Sequence, residues 1–397
     1  MPRFDRRDYL RAAGLAGAAA LAGCTDVFDD NGETPDAPEE TEFTVETVAD
    51  GFAHPWGMAF LPNDEQLLVT EREGSLSLLD RESGDVDRLD GLPDVHAAGQ
   101  GGLLDIALDP DFESEPWVYL TYAATNGQGE STTCLGRGRL AAADGRLEDF
   151  ERLYTAEPFV DSTQHYGSRV VFGEDGMVYM TTGDRGDKDF GPDHVSQDPS
   201  NDLGATLRLA PDGTVPEDNP FTDDPDINDA IFSYGHRNAQ GMDIHPDTGD
   251  IWQSEHGERD GDEINIIERG GNHGWPVVHY GCEYGTDEPV GEQPHERDDT
   301  VGPVYYWECG SGGFPPSGAM FYDGDAFPEW RGDLFVGNLA GQYLGRFTVD
   351  GTVVEETSAL LADRDWRIRA IETAPDTDFI YVAVDAGDAP IVRLRPA

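Results

Sequence analysis

Six segments of the chain repeat one pattern: an apolar run, a turn built on Pro, Asp or Gly, then a second apolar, β-rich run. They begin at Gly57, Leu104, Ser168, Gly241, Gly318 and Arg369, 47 to 77 residues apart. In the third, Val170-Val171-Phe172 and Met177-Val178-Tyr179-Met180 flank Glu174-Asp175-Gly176. An Asp-Gly pair between two such runs is a tight-turn signal. A unit of this size cannot bury its apolar face alone, so units must pack on one another. The expected fold is therefore all-β: a six-bladed β-propeller with long inter-blade loops. Each segment would supply the inner strands of a four-stranded blade. A two-sheet sandwich predicts no repeat at this period. No uncapped stretch beyond residue 23 keeps a 3.6-residue period for long, so little helix is expected. Phe43, Val45 and Val48 alternate and are expected to add the outer strand of the last blade, fastening the two chain ends together.

The segments before the repeats read differently. Arg6-Arg7 stands before a small-residue apolar run from Ala12 to Gly23. That run is too short for a bilayer, which needs about 20 residues, and it suits a signal peptide. Leu21-Ala22-Gly23-Cys24 resembles a lipobox, which implies cleavage before Cys24 and a lipid on its sulfur. The expected organisation is a twin-arginine lipoprotein-type signal over 1–23, an acidic tether over 24–42 and the propeller over 43–397. The chain would be exported and anchored at the outer face of the cytoplasmic membrane, touching it only through that lipid. Cys282 and Cys309 share one loop-rich region and could pair; Cys134 would be left over. No CxxC spacing exists, which argues against a thiolate zinc site.

Charge narrows the partners. The chain carries 80 Asp+Glu against 26 Lys+Arg, a formal net charge of −54. Such a surface repels phosphate backbones, so no nucleic-acid partner is expected. With 38% hydrophobic residues the chain is too apolar to be a disordered acidic protein. Acids run along its whole length and Lys188 is the only lysine. This reads as adaptation to molar salt, where the screening length falls to about 3 Å.

Four islands in the connecting loops carry candidate chemistry. Gly99-Gln100-Gly101-Gly102 is a glycine run that would let backbone approach a flat ligand. Gln164-His165-Tyr166-Gly167-Ser168-Arg169 places a histidine at the entry to an inner strand, where a neutral imidazole can take a hydroxyl proton. Gly235-His236-Arg237-Asn238-Ala239-Gln240 gathers donors suited to a developing oxyanion. Glu255 to Asn265 holds five acids in nine residues with interspersed glycines, suited to a hard cation such as calcium but without EF-hand spacing. Arg367 and Arg369, at i and i+2 on a strand, point to one face and suit a multiply carboxylated ligand.

Together these motifs resemble the soluble aldose sugar dehydrogenases that use pyrroloquinoline quinone (PQQ), the family of soluble glucose dehydrogenase. The resemblance rests on His165-x-Gly167-x-Arg169, on Gly235-His236-Arg237-Asn238-x-Gln240-Gly241 and on Gln253-Ser254-Glu255-x-Gly257 with Asp262-Glu263-Ile264-Asn265. Gly270-Gly271-Asn272-x-Gly274-Trp275-Pro276 completes it. It implies a six-bladed propeller that oxidises the C1 hydroxyl of an aldose to the lactone and passes electrons to an external acceptor. By the same resemblance His165 is the base, while Arg237 and Asn238 act on the quinone. Gln100, Asp184, Arg367 and Arg369 join Arg237 and Asn238 around the cofactor. Main-chain carbonyls of Gly257 and Glu258 would hold one Ca²⁺, and Glu263 with the carbonyl of His273 a second.

The sequence departs from the family in places. Ala340 stands where a family lysine would meet a cofactor carboxylate, so one cation is missing. Gln164 replaces an aspartate that stands beside the base in some members of the family. The stretch Trp307–Pro316, which carries substrate aromatics in the family, does not align cleanly. Two other readings remain: a calcium-dependent propeller hydrolase or lactonase, and a non-catalytic propeller binding module like the hedgehog-interacting-protein relatives. Neither needs His165, Arg237 and the Arg367/Arg369 pair together.

Overall fold

The structure is a computed structural model that describes residues 41–62 and 65–397. The twin-arginine signal, Cys24 and nearly all of the acidic tether lie outside the described residues.

Among the described residues, twenty-four strands form six antiparallel four-stranded sheets. The innermost strands are Pro55–Phe60, Leu103–Leu108, Val170–Phe172, Ala239–Ile244, Pro316–Phe321 and Ile368–Thr373. They pack side by side in that cyclic order, and the last touches the first. This is a closed six-bladed propeller, and the six repeats seed its six blades. The hairpin signal is realised in blade 3: Phe172 lies opposite Val178, and Gly176 adopts a φ of +73°. Asp175 Oδ1 accepts the Met177 N–H at 3.0 Å, so the turn satisfies its own backbone.

Blades bury their apolar faces against their neighbours. Leu68, Leu76 and Leu78 of blade 1 meet Ile106, Val118 and Leu120 of blade 2 in one cluster. Met320, Phe335 and Leu344 of blade 5 meet Ile371, Val382 and Val392 of blade 6 in another. Each such side chain stabilises by about 1.5–3 kcal/mol when fully buried.

Ring closure uses both ends of the described chain. Phe43–Phe52 pairs with Ala389–Pro396, with Val45 opposite Leu394. Glu46 holds Arg393 at 2.9 Å and Arg395 at 2.5 Å. This is the outer strand expected from the alternation of Phe43, Val45 and Val48.

Only four short 3₁₀ turns occur among the described residues. The loops that link blades carry Gln100, His165, Arg237, Asn238 and Arg367. The longest insertions, 182–204 and 267–304, instead lie within blades 3 and 4. Cys282 and Cys309 form a disulfide, which ties the second insertion to the chain entering blade 5. Cys134 is free and buried.

Candidate active site

At one end of the ring the strand ends and loops enclose a cavity of about 710 Å³, within the roughly 300–1,000 Å³ of ligand pockets. Gln100, His165, Arg237, Asn238, Gly257, Glu258, Arg367 and Arg369 all line it, as does Ala340. Asp184 lies directly behind His165. Glu263 and His273 line a separate, small enclosed space behind Arg237 and Gly257.

His165 is held from three sides. Its backbone takes a left-handed φ of +48°, a strained conformation that the surroundings must impose. Gln100 Oε1 accepts its N–H at 2.8 Å. Gly183 packs against its carbonyl so closely that a Cβ there would lie 2.1 Å from the oxygen. Its ring Nδ1 lies 2.6 Å from Asp184 Oδ1. Asp184 is itself pinned: Gly186 N–H donates to Oδ1 at 2.8 Å and Trp275 Nε1 to Oδ2 at 2.9 Å. Burial would raise the Asp184 pKa, but the charges of His165 and Arg237 outweigh it and hold the carboxyl low. For His165, burial and the Arg237 charge win over Asp184 and pull the imidazole below its ordinary range. This favours a neutral imidazole that donates its Nδ1–H to the Asp184 carboxylate and leaves Nε2 free.

Cations surround this base. Arg237 donates its backbone N–H to Glu255 at 2.8 Å and Nη2 to Glu258 at 2.8 Å, and its guanidinium lies 5.2 Å from the Trp275 ring centroid. Asn238 Oδ1 accepts the Gly167 N–H at 3.0 Å, which leaves its NH₂ free to donate. Arg369 gives Nη1 to Gln240 Oε1 at 3.0 Å and Nη2 to Asp385 at 2.9 Å. Arg367 reaches the same carboxylate at 3.5 Å. Burial would raise the Asp385 pKa; the Arg369 charge and a 2.7 Å contact with His54 Nδ1 overcome it and hold Asp385 far below the carboxylate range. The Nε atoms of Arg237 and Arg369 are buried and have no partner among the described residues. Arg72, Lys188, Arg237, Arg259, Arg367 and Arg369 line the cavity, six of the chain's 26 cations.

The acidic island divides its labour. Glu258 binds Arg237 and, through both oxygens, Lys188 Nζ at 2.7 and 2.8 Å. Asp262 accepts the Gly257 N–H at 3.0 Å and the Phe314 N–H at 2.7 Å, bracing the loop. Glu255 and Glu263 flank the small enclosed space. Burial and the Glu255 charge push the Glu263 carboxyl upward. Both ring nitrogens of His273 are buried there without partners among the described residues. Among the described residues no three His, Cys, Asp or Glu side chains converge as a metal centre.

Some expectations change in the folded chain. The glycines at 99, 101 and 102 serve protein packing: a Cβ on them would strike Thr163, His96 and Arg72, respectively. Arg169 does not line the cavity. It lies at the channel between the inner strands, giving Nη1 to Asp105 at 2.9 Å, Nε to the Gln240 carbonyl at 2.5 Å and Nη2 to the Arg369 carbonyl at 3.0 Å. From the 307–316 stretch, Trp307 and Phe314 pack in the blade 4–5 core, and Gly312, Gly313 and Pro315 line the cavity. Sequence reasoning did not assign Trp56, Arg72, Lys188 or Asp385 to the site, and gave Gln240 and His256 no role of their own within their islands. For Lys188 there was a signal, since a lone lysine in so acidic a chain is conspicuous. Asp385 and Arg72 gave none, because each is one charged residue beside a strand end, in no run of candidate site residues.

Fold and site together define a six-bladed propeller with a buried histidine–carboxylate pair facing a cation-lined cavity. The sequence profile described as Glucose / Sorbosone dehydrogenase matches residues 52–393. The chain belongs to this family. It is 35% identical over 352 residues to aldose sugar dehydrogenase YliI of Escherichia coli, covering 89% of this chain and 92% of that protein. A crystal structure of a glucose dehydrogenase superposes with a TM-score of 0.82 at 38% identity, covering 88% of this chain and 99% of that one. The PQQ-bound aldose sugar dehydrogenase of Streptomyces coelicolor superposes with a TM-score of 0.73 at 28% identity, covering 90% and 99%.

Proposed function

We propose that this chain is a PQQ- and calcium-dependent dehydrogenase that oxidises the C1 hydroxyl of an aldose sugar to the lactone. The observation that carries the reading is the His165–Asp184 pair at the wall of a cationic cavity. With Nδ1 held by the carboxylate, Nε2 is the free base, and burial keeps it neutral near pH 7. It would take the proton of the anomeric hydroxyl. A bound quinone supplies the hydride acceptor. Arg237, fixed by Glu258 and the Glu255 carboxylate, places positive charge where it would stabilise an oxyanion. Asn238 offers its free NH₂ beside it.

The residues present suit a polycarboxylate. The Nε–H groups of Arg237 and Arg369 lack acceptors, and the Arg367 guanidinium is half-exposed to the cavity. They also suit a hard cation. Glu255 and Glu263 are two buried carboxylates that a divalent ion would hold ionised together. At Gly257–Glu258 the Glu258 side chain is already engaged, so main-chain carbonyls would be the ligands there. The ion near the quinone would act as a Lewis acid and an orienting template. The kinship with aldose sugar dehydrogenase YliI and the PQQ-bound Streptomyces protein supports both the sugar and the cofactor. Arg6-Arg7 and Cys24 support export and a lipid anchor, with electrons leaving to an external acceptor.

The test is reconstitution. The chain is purified without cofactor at high salt, supplied with PQQ and Ca²⁺, and assayed on aldoses with an artificial electron acceptor. Turnover that chelation abolishes and Ca²⁺ restores is expected. No turnover of any aldose, with no change in quinone absorbance, would sink the reading. Lactone hydrolysis in the same preparation would favour the hydrolase instead.

A further inference from the structure

Each cation that lines the cavity has an acid partner, except one. Lys188 and Arg237 share Glu258, Arg259 holds Asp287 at 2.9 Å, and Arg367 and Arg369 share Asp385. Arg72 enters the same cavity from blade 1, and its guanidinium has no hydrogen-bond or ion-pair partner among the described residues. In so acidic a chain, a half-buried arginine kept away from every described acid is set up for an anion that arrives from outside.

Its base is nonetheless fixed. The Arg72 N–H donates to the His54 carbonyl at 3.1 Å, and its carbonyl accepts the Leu103 N–H at 3.2 Å. Gly102, at a φ of +149°, is pressed against it: a Cβ there would lie 1.8 Å from the Arg72 oxygen and 2.9 Å from its Cγ. Only glycine permits that approach. The stem is thus held and the head is free.

Its position continues the cation set from blade 6 into blade 1. His54 carries the Asp385 contact, so Arg72 is one backbone hydrogen bond from the residue that binds the carboxylate shared by Arg367 and Arg369. The inner strand of blade 1 packs on that of blade 6, which packs on blade 5. Blade 5 leads into Ala340 at the cavity wall, where the family resemblance calls for a lysine.

We propose that Arg72 binds a carboxylate of the bound cofactor and supplies the positive charge that Ala340 lacks. Arg367, Arg369 and Arg72 then form one carboxylate-binding arc across blades 6 and 1. The inference rests on the PQQ reading above.

The test reads cofactor binding, not turnover. PQQ is titrated into the cofactor-free chain with Ca²⁺ at fixed high salt, followed by quenching of tryptophan fluorescence; Trp56 lines the cavity. R72Q should raise the Kd roughly ten- to a hundredfold, the loss of one or two charge-assisted hydrogen bonds. Its melting temperature should stay that of the wild type, because the guanidinium holds nothing in the cofactor-free fold. Adding A340K to R72Q should bring the Kd back at least tenfold. An R72Q Kd within twofold of wild type overturns the proposal, and so does a loss that A340K does not restore. A wild-type chain that takes up no PQQ overturns the cofactor reading, and this inference with it.

Discussion

His165 and Asp184 show how neighbours set a residue's chemistry. Asp184 works against burial, holding the imidazole's pKa up and its Nδ1 proton in place. Catalysis needs the neutral ring, so activity should be lost as pH falls through the His165 pKa. That acid limb should lie below about 6.5, the ordinary histidine value. D184N removes the opposing charge. The acid limb should then move to still lower pH, and kcat should fall by about 10²–10⁴ as the tautomer loses its anchor. A limb that moves upward in a pH–rate profile, or an unchanged kcat, would remove Asp184 from this role. His165, Arg237, Asn238, Arg367 and Arg369 stood out in the sequence because each lies in a short polar run beside an apolar strand. Asp385 and Trp56 did not, because single residues at strand ends look ordinary until the ring closes. The Arg169 guanidinium was equally ambiguous. Its partners, Asp105 and two carbonyls, belong to blades 2, 4 and 6.

Among the elements, the strand Phe43–Phe52 bears the closure of the ring. Without it, Ala389–Pro396 would be an exposed edge with unpaired backbone groups. Beginning the chain after Thr47 would remove the paired residues Phe43 to Thr47 and both ion pairs of Glu46. The melting temperature should drop by many degrees, and the truncated chain should aggregate, as seen by calorimetry and light scattering. E46Q alone should leave the melting temperature close to that of the full chain, because exposed pairs contribute little. A truncated chain that melts with the full chain would show that ring closure lies elsewhere. The strands were legible because an apolar, β-rich run bounded by turn residues recurs in every repeat. The insertions 182–204 and 267–304 were not placed within blades 3 and 4, since a gap in a repeat does not say which strands it separates.

At the scale of the molecule, the −54 charge and the cationic cavity oppose each other. Acids facing solvent repel at low ionic strength, where the Debye length is about 10 Å at 0.1 M, and scarcely at 1 M, where it is about 3 Å. Raising KCl from 0.1 to 2 M should therefore raise the melting temperature strongly, as followed by circular dichroism. A melting temperature that does not depend on salt would end the reading of the surface as an adaptation to brine. Buried ion pairs such as Arg369–Asp385 are screened less, so the cavity should keep its charge pattern in the same salt.

By itself the sequence determined the number of blades, because six strand–turn–strand repeats admit few other ways to bury their apolar faces. It also determined the family and the residue types of the site, because those lie in contiguous motifs. Only the tertiary structure decided which charges meet. It paired Arg369 with Asp385 within blade 6, set Lys188 of blade 3 on Glu258 of blade 4, spent Arg169 on the channel and left Arg72 without a partner among the described residues. The reason is physical: a residue's environment is set by blades far apart in sequence, and electrostatics follows distance in space.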